Sequence, residues 1–318
     1  MDVLAEALAS MRTARPASVR TNGQAPWALQ LPPVAGAGFH VVLHGECWLI
    51  PTLSTGTAKP LRLAAGDVVF LRSGPEHVIA DDPATKPLTL DSLAGDNALI
   101  GVVDIGGTGK AASLLCGNYH LEKARPHPLV SRLPEVIHLR NGDERHPELA
   151  AAVNLLRAEL DRPRMGSSAI VPALIDSLLL YILRAWIEQG PEGSVGWATA
   201  LTDPAIASAL AAMHADPAEN WTVESLAVRA GLSRAAFAKR FHALVGVPPL
   251  GYLTHWRMAT AARLLRESDV SLATVAARIG YGSEFAFAKA FKRAYGHAPG
   301  GYRRLHPAEV PVTSAAAG

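Results

Sequence analysis

The six residues AFAKRF, Ala236 to Phe241, return fifty positions later as AFAKAF, Ala286 to Phe291. The match extends beyond them, because Gly246, Pro249, Gly251 and Tyr252 recur as Gly296, Pro299, Gly301 and Tyr302 at the same offset. Upstream, Leu226, Ala227 and Gly231 correspond to Val275, Ala276 and Gly280 at an offset of forty-nine, and Ser233 to Ser283 at fifty. The second copy therefore has one residue more between Gly280 and Ser283. A repeat of this size is a duplicated supersecondary unit.

Each copy reads as helix, tight turn, helix. Thr222 caps a short helix VESLAVRA, Gly231 ends it, and Ser233 caps the next. A simple cap is expected at Thr222 rather than a reciprocal capping box, since Ser225 and not an acid or Gln stands three residues on. Phe237 and Phe241 lie four apart and share one face, whereas Ala235, Ala238, Lys239 and His242 gather on the opposite one. In the second copy Phe287 and Phe291 turn inward, and Phe285, Ala288, Lys289 and Lys292 turn out. A small Ala in the first helix, a Gly in the turn and an apolar pair in the second helix are the requirements of a helix-turn-helix. Its second helix enters a DNA major groove. The alternative is a plain helical hairpin repeat with solvated lysines, and charge decides between them. Residues 201–306 hold 13 Lys plus Arg against 7 Asp plus Glu, whereas residues 1–200 hold 17 against 20. Two copies in the basic part of the chain favour DNA.

The segment 220–304 resembles the AraC/XylS family of transcription regulators. The residues that carry this are WTVESLAVRAGLSRAAFAKRFHALVGVPPLGYL, the connector HWRMATAARLLRES, and LATVAARIGYGSEFAFAKAFKRAYGHAPGGYRR. The signature I-G-Y-x-S-E-x-x-F-x-x-x-F-K-x-x-x-G-x-x-P-x-x-Y-R runs from Ile279 to Arg303. The resemblance implies two helix-turn-helix units held apart by a linker helix, about Leu250 to Glu267, reading promoter DNA in groove segments about one turn, ~34 Å, apart. It places Ala235, Ala238 and Lys239 of one helix, and Phe285, Ala288 and Lys289 of the other, toward bases, with Glu284 in the signature beside them. Ala and Phe contact thymine methyl groups but read no hydrogen-bond pattern, which leaves each Lys to take a guanine edge or a phosphate. Affinity is therefore expected to lean on phosphate contacts from Arg234, Lys292 and Arg293 and on the helix N-termini at Ser233 and Ser283. The resemblance also implies RNA polymerase as a partner and an activator's role.

At 318 residues and 49% apolar, the chain is long enough for two domains with a core each. Up to about residue 145 it alternates short apolar runs with Gly and Pro: FHVVLHGECWLI, LRLAAGDVVFLR, HVIA, NALIGVVDI and ASLLCGNYHL. These are strand lengths bounded by turns, and they argue for a small barrel or sandwich. From Pro147 the texture becomes helical, in PELAAAVNLLRAEL and VPALIDSLLLYILRAWIEQ. The second of these is apolar nearly all round, with Leu174, Leu178, Ile182 and Ala185 on one face and Leu179, Leu183 and Trp186 on the next. It must be covered on more than one side, by its own domain or by a second subunit. The expected organisation is α+β and multidomain. A β-barrel or sandwich, identified below by resemblance as cupin-like, occupies 1–145, helices for dimerisation and connection 146–200, an all-α double helix-turn-helix domain 201–306, and a loose tail 307–318. No run of eighteen or more uncharged apolar residues occurs, and MDVLAEALASM has an acid where a secretory signal carries basic residues, so a soluble cytoplasmic protein without a membrane partner is expected.

GFHVVLHGECWLI followed by LRLAAGDVVFLRSGPEHVIA resembles the cupin-like sensor domain of some AraC-type regulators, as does LLCGNYHLEKARPHPLVSRLPEVIHL. Enzymatic cupins hold a metal with two His and a carboxylate from a first motif and one His from a second. This chain offers His40, His44, Glu46 and His77, but the first motif's His-x-His is absent and Glu46 stands too close to His44. No metal or other cofactor is expected, and His40, His44, Trp48 and His77 become candidates for an effector pocket. A metal-dependent cupin enzyme with a DNA-binding appendage is the rival reading. One branch of this subgroup senses reactive chlorine species and carries a Cys in the setting of Cys116-Gly117, which makes Cys116 and Cys47 redox candidates. A thiol reacts as thiolate, however, and the mostly apolar surroundings of Cys116 point to a buried, unreactive group. DIGGTGKAA, 104–112, imitates a phosphate loop but lacks Gly at Asp104 and Ser or Thr at Ala111, so a surface loop is expected. The reading is a regulator, not an enzyme, in which the N-terminal domain senses an effector or oxidant and a homodimer engages DNA.

Overall fold

The computed structural model describes residues 2–34, 36–53, 56–57, 59–89, 101–122, 127–131, 133–141, 145–189 and 196–306. The tail 307–318, residues 190–195, residues 97–100 of the expected strand and residues 123–126 lie outside the described residues. The chain forms two compact units. One is Ala14–Lys123 with Val130–Ser194; the other is Met1–Thr13, Ala124–Leu129 and Val195–Gly318. The boundaries expected from the sequence run in simple order along the chain. The structure instead assigns the N-terminal segment and a short internal one to the C-terminal unit.

Among the described residues the first unit holds the strands β1 (Ala17–Gln24), β2 (Ala28–Leu31), β3 (Ala37–His44), β4 (Glu46–Leu53), β5 (Gly56–Thr57), β6 (Leu61–Ala64), β7 (Val68–Leu71), β8 (His77–Ala80), β9 (Leu88–Thr89), β10 (Gly101–Gly106), β11 (Ala111–Tyr119) and β12 (Val136–Leu139). They make two sheets, ordered β10-β1-β11-β3-β7-β12 and β5-β4-β8-β2-β9, with β6 paired to β4. Val42, Val69 and Leu114 of one sheet share a core with Leu29, Leu49 and Ile79 of the other. β3 is buried from Ala37 to Leu43 because both of its faces are covered. His40 and Val42 face the space between the sheets, whereas Phe39 on the reverse packs against Tyr119 with ring centroids 4.9 Å apart. The Tyr119 hydroxyl in turn donates to Ile175 O at 2.9 Å. Gly117 allows β11 to lie this close, since a Cβ there would stand 2.4 Å from Ala17 O and 2.6 Å from the Phe39 ring.

Asp67, in the turn between β6 and β7, is almost fully buried. It accepts from Ala64 N at 3.1 Å and Asn141 N at 2.8 Å and pairs with His138 Nε2 at 2.9 Å. The turn is thereby fastened to β12. The phosphate-loop imitation is the end of β10, a turn and the start of β11. The Gly107 and Gly109 amides donate to Gln24 O and Ala25 O at 2.7 and 2.8 Å and so belong to the fold.

The helices are numbered along the whole chain: α1 (Val3–Met11), α2 (Pro128–Ser131), α3 (Pro147–Asp161), α4 (Ser167–Gln189), α5 (Trp197–Thr202), α6 (Pro204–Ala215), α7 (Val223–Arg229), α8 (Arg234–Val245), α9 (Pro249–Glu267), α10 (Leu272–Arg278), α11 (Glu284–Tyr295) and α12 (Pro299–Leu305). In the barrel unit α3 and α4 pack on each other, α3 also on β3 and α4 on β12. Among the described residues α4 is the one helix long and apolar enough to cross a bilayer. It buries Ile175, Leu178, Leu179, Ile182, Leu183, Ala185 and Trp186.

In the other unit Asp2 caps α1 by accepting from Leu4 N and Ala5 N. α1 packs on α6 and α9, burying Val3, Leu8 and Met11. The buried Arg266 of α9 donates to Arg12 O at 2.8 Å, Ser10 O at 3.3 Å and the Tyr302 hydroxyl at 2.7 Å, a cation set against the C-terminal carbonyls of α1.

Candidate nucleic-acid interface

The two repeats fold to the same pattern, each element set by a cap and a glycine. In the first, Thr222 Oγ1 accepts from Ser225 N at 3.0 Å and Ser225 Oγ accepts from Thr222 N at 2.9 Å. This is a full capping box, contrary to the simple cap expected, because a serine hydroxyl reaches back as a Glu or Gln would. Gly231, with φ of +66°, makes the turn, and Ser233 caps α8 by accepting from Ala236 N. In the second, Ser271 caps α10, Gly280 turns with φ of +77°, and Ser283 caps α11 by accepting from Ala286 N. Phe237 and Phe241 are fully buried with centroids 5.6 Å apart, and Phe287 and Phe291 repeat both properties. The linker helix α9 begins at Pro249 and ends at Glu267, one residue longer than expected.

With the phenylalanines inside, α8 presents Ala235 and Lys239 to solvent with Ala238 half-buried, and α11 presents Phe285, Lys289, Lys292 and Arg293 with Ala288 half-buried. Phe285 is 80% exposed, an aromatic ring with nothing of its own fold to cover it. Glu284 lies in the first turn of α11. Arg234 is exposed but forms an ion pair with Glu224 at 2.7 Å. The other departure concerns how the basic residues are used. Arg240 binds Asp203 at 2.7 Å, Arg257 binds Pro217 O and Glu219 O, Arg266 lies under α1, and Arg303 binds Val270 O. These cations hold the unit together, whereas Lys239 of α8 and Lys289, Lys292 and Arg293 of α11 stand exposed. Arg229 and Arg278, exposed in the last turns of α7 and α10, were not among the candidates. Their equivalence at the forty-nine-residue offset was the available signal.

The four effector-pocket candidates do not converge. His40 and His77 meet between the sheets, Nε2 to Nε2 at 2.7 Å, and His77 Nδ1 donates to Pro75 O at 2.7 Å. That bond fixes the tautomers: His77 Nε2 accepts and His40 Nε2–H donates. Burial holds both imidazoles below their ordinary range, and for His40 the neighbouring His77 adds to it. His44 is half-exposed and binds Asp161 at 2.8 Å, and Trp48 lies on the reverse of β4 from the core residue Cys47. Strand alternation and the length of β3 place these two outside. The donor set does not suit a metal either. Two nitrogens on one tetrahedral ion stand about 3.3 Å apart, further than this hydrogen-bonded pair, and among the described residues no three His, Cys, Asp or Glu side chains gather as ligands. Cys47 and Cys116 are both buried in the same core. Burial pushes each thiol up to about 12, with Cys116 and Asp67 adding to the effect at Cys47, although Thr21 donates to Cys116 Sγ at 3.7 Å. Neither is a thiolate at neutral pH.

Residues 2–188 match the Cupin family and residues 226–305 the helix-turn-helix domain family. A Streptomyces lividans protein whose name classes it as AraC-like is 35% identical over 96% of this chain and 99% of its own length. The RCS-specific HTH-type transcriptional activator RclR of Escherichia coli is 29% identical over 79% of this chain and 82% of its own. The DNA-binding domain of AdpA, solved in complex with a target DNA, is 40% identical over 32% of this chain and 92% of that domain, with a TM-score of 0.31. The chain belongs to the AraC-type DNA-binding transcription regulators, with a cupin domain at its N-terminal side and two helix-turn-helix units at its C-terminal side.

Proposed function

We propose that the protein is a cytoplasmic regulator without enzymatic activity, in which a signal received in the barrel unit alters how α8 and α11 engage adjacent major-groove segments of a promoter. The observation that carries this is the repeated exposure of Lys239 and Lys289, each preceded by an alanine, over a buried Phe pair. Ser233, Arg234, Ser283, Lys292 and Arg293 then serve the phosphates, with Ala235, Ala238, Phe285 and Ala288 against thymine methyl groups. RNA polymerase is the downstream partner. The burial and high pKa of both thiols favour a small-molecule effector over direct thiol oxidation. A second copy of the chain would cover the outer face of α3, where Ala151, Leu155 and Ala158 are exposed at helical spacing. DNA selected in vitro with the purified protein tests the reading. Footprinting is expected to show two protected segments on one face of the duplex about 10 base pairs apart; a single protected segment, or none, would refute it.

A further inference from the structure

α8 and α11 are near copies and meet the same structural demands. Ser233 and Ser283 cap them, Phe237 with Phe241 and Phe287 with Phe291 fill their cores, and Ala238-Lys239 recurs as Ala288-Lys289. At the second residue of each helix the copies part, because Ala235 of α8 stands where α11 has Phe285. The first repeat shows that a methyl group is enough at this position to build the unit. The ring of Phe285 is therefore not required by the fold.

Nor does the fold use it. Phe285 is 80% exposed, whereas Phe287, two residues on, is fully buried. A ring left in water forgoes the burial that makes an aromatic side chain stabilising, so its contribution lies with whatever covers it. Its place on the helix points to a base edge. Phe285 lies in the first turn of α11, and the N-terminal residues of a groove-bound helix are the ones that meet bases. Lys289, one turn on, and Lys292, two turns on, continue the same exposed face and attract a polyanion. Glu284 beside it would be repelled by a phosphate, but within the groove a carboxylate accepts from cytosine N4. The start of α11 thus suits bases better than backbone. Among the base edges of the major groove, thymine presents an apolar group, its 5-methyl. In α8 the corresponding first turn has Arg234, held by Glu224 at 2.7 Å, followed by Ala235.

We propose that Phe285 makes the two helices unequal as readers: its ring packs on the 5-methyl group of a thymine in the segment taken by α11, a contact for which α8 offers only the side chain of Ala235. This rests on the reading of α8 and α11 as major-groove helices. Because Ala238-Lys239 and Ala288-Lys289 are alike, those positions do not distinguish the two segments. The thymine does, and it fixes which segment α11 takes.

Deoxyuridine keeps the hydrogen-bonding edge of thymidine and lacks only the methyl group. Replacing the thymines of the in vitro selected DNA one at a time therefore isolates the contact. The full-length protein should bind about fourfold more weakly when one particular thymine of one protected segment is replaced, the effect of a single buried methyl group. In Phe285→Ala the same replacement should change affinity by less than about 1.5-fold, whereas Phe285→Leu, which keeps an apolar side chain, should retain an effect of about twofold or more. Lys239→Ala should bind more weakly yet keep the fourfold effect. Protected segments in which every thymine is replaceable without loss, or an effect undiminished in Phe285→Ala, would overturn this inference and leave the DNA-binding reading intact. The absence of protected segments would overturn both. Phe285→Ala binding the thymine DNA as tightly as the wild type would assign the ring to a protein partner and likewise overturn the inference.

Discussion

Lys239 and Phe241 stand two residues apart and do opposite things, because helical geometry turns one out and the other in. Phe241→Ala or Phe291→Ala should cost about 3–5 kcal/mol of unfolding free energy for the DNA-binding unit, since each ring fills a buried site beside a second ring. Lys239→Ala should change stability by no more than about 0.5 kcal/mol. Denaturant unfolding of the variants measures both. Asp67 gives a pH-dependent case in the other unit. Burial raises its pKa, but the bonds from His138, Asn141 N and Ala64 N outweigh that and leave it below the usual carboxylate value. Its contribution is full above the unfolded value of about 3.9 and is lost as pH falls through the lower, folded one. Asp67→Asn should destabilise by about 1–3 kcal/mol at neutral pH and remove this part of the acid dependence of unfolding. The Phe and Lys positions were legible because spacing alone assigns a helical face. The pairing of Asp67 with His138 was not, because they stand 71 residues apart in the chain and no local period marks them.

Among elements, the two turns distinguish conformation from space. Gly231 and Gly280 both have positive φ, but a Cβ at 231 meets nothing within 4 Å, whereas at 280 it would lie 2.7 Å from Ala218 O. Gly231→Ala should cost about 1 kcal/mol and Gly280→Ala distinctly more, by thermal unfolding. The helix pairs, their caps and the linker were readable from residue type and position, apart from the hydroxyl of Ser225 completing the capping box. α1 was not assigned its place, since its apolar side chains require burial without specifying a partner. Arg266 and the carbonyls of Ser10 and Arg12 meet across some 250 residues of chain. Leu8→Ala should therefore destabilise the C-terminal unit, by about 2–5 kcal/mol, although residue 8 lies at the opposite end of the sequence. Hydrogen exchange in α9 peptides reports it.

At the scale of the whole molecule, the sequence yielded two domains and their kinds, but not that segments 1–13 and 124–129 cross from one unit to the other. Composition and periodicity change along the chain and so mark boundaries in order; a short segment exchanged between units changes neither. The sensor's interior was partly legible, in that His40 and His77 were singled out, while His44 lies outside because β3 ends there and Trp48 because Cys47 and Leu49 take the inner face of β4. The central claim concerns the exposed face of the repeat. DNA affinity of Lys239→Ala, Lys289→Ala and the double variant, measured on in vitro selected DNA at fixed salt, tests it most directly. Each single change should weaken binding by about 5- to 150-fold, corresponding to about 1–3 kcal/mol, and the double change by roughly the product. A double variant that binds this DNA with wild-type affinity would contradict the account.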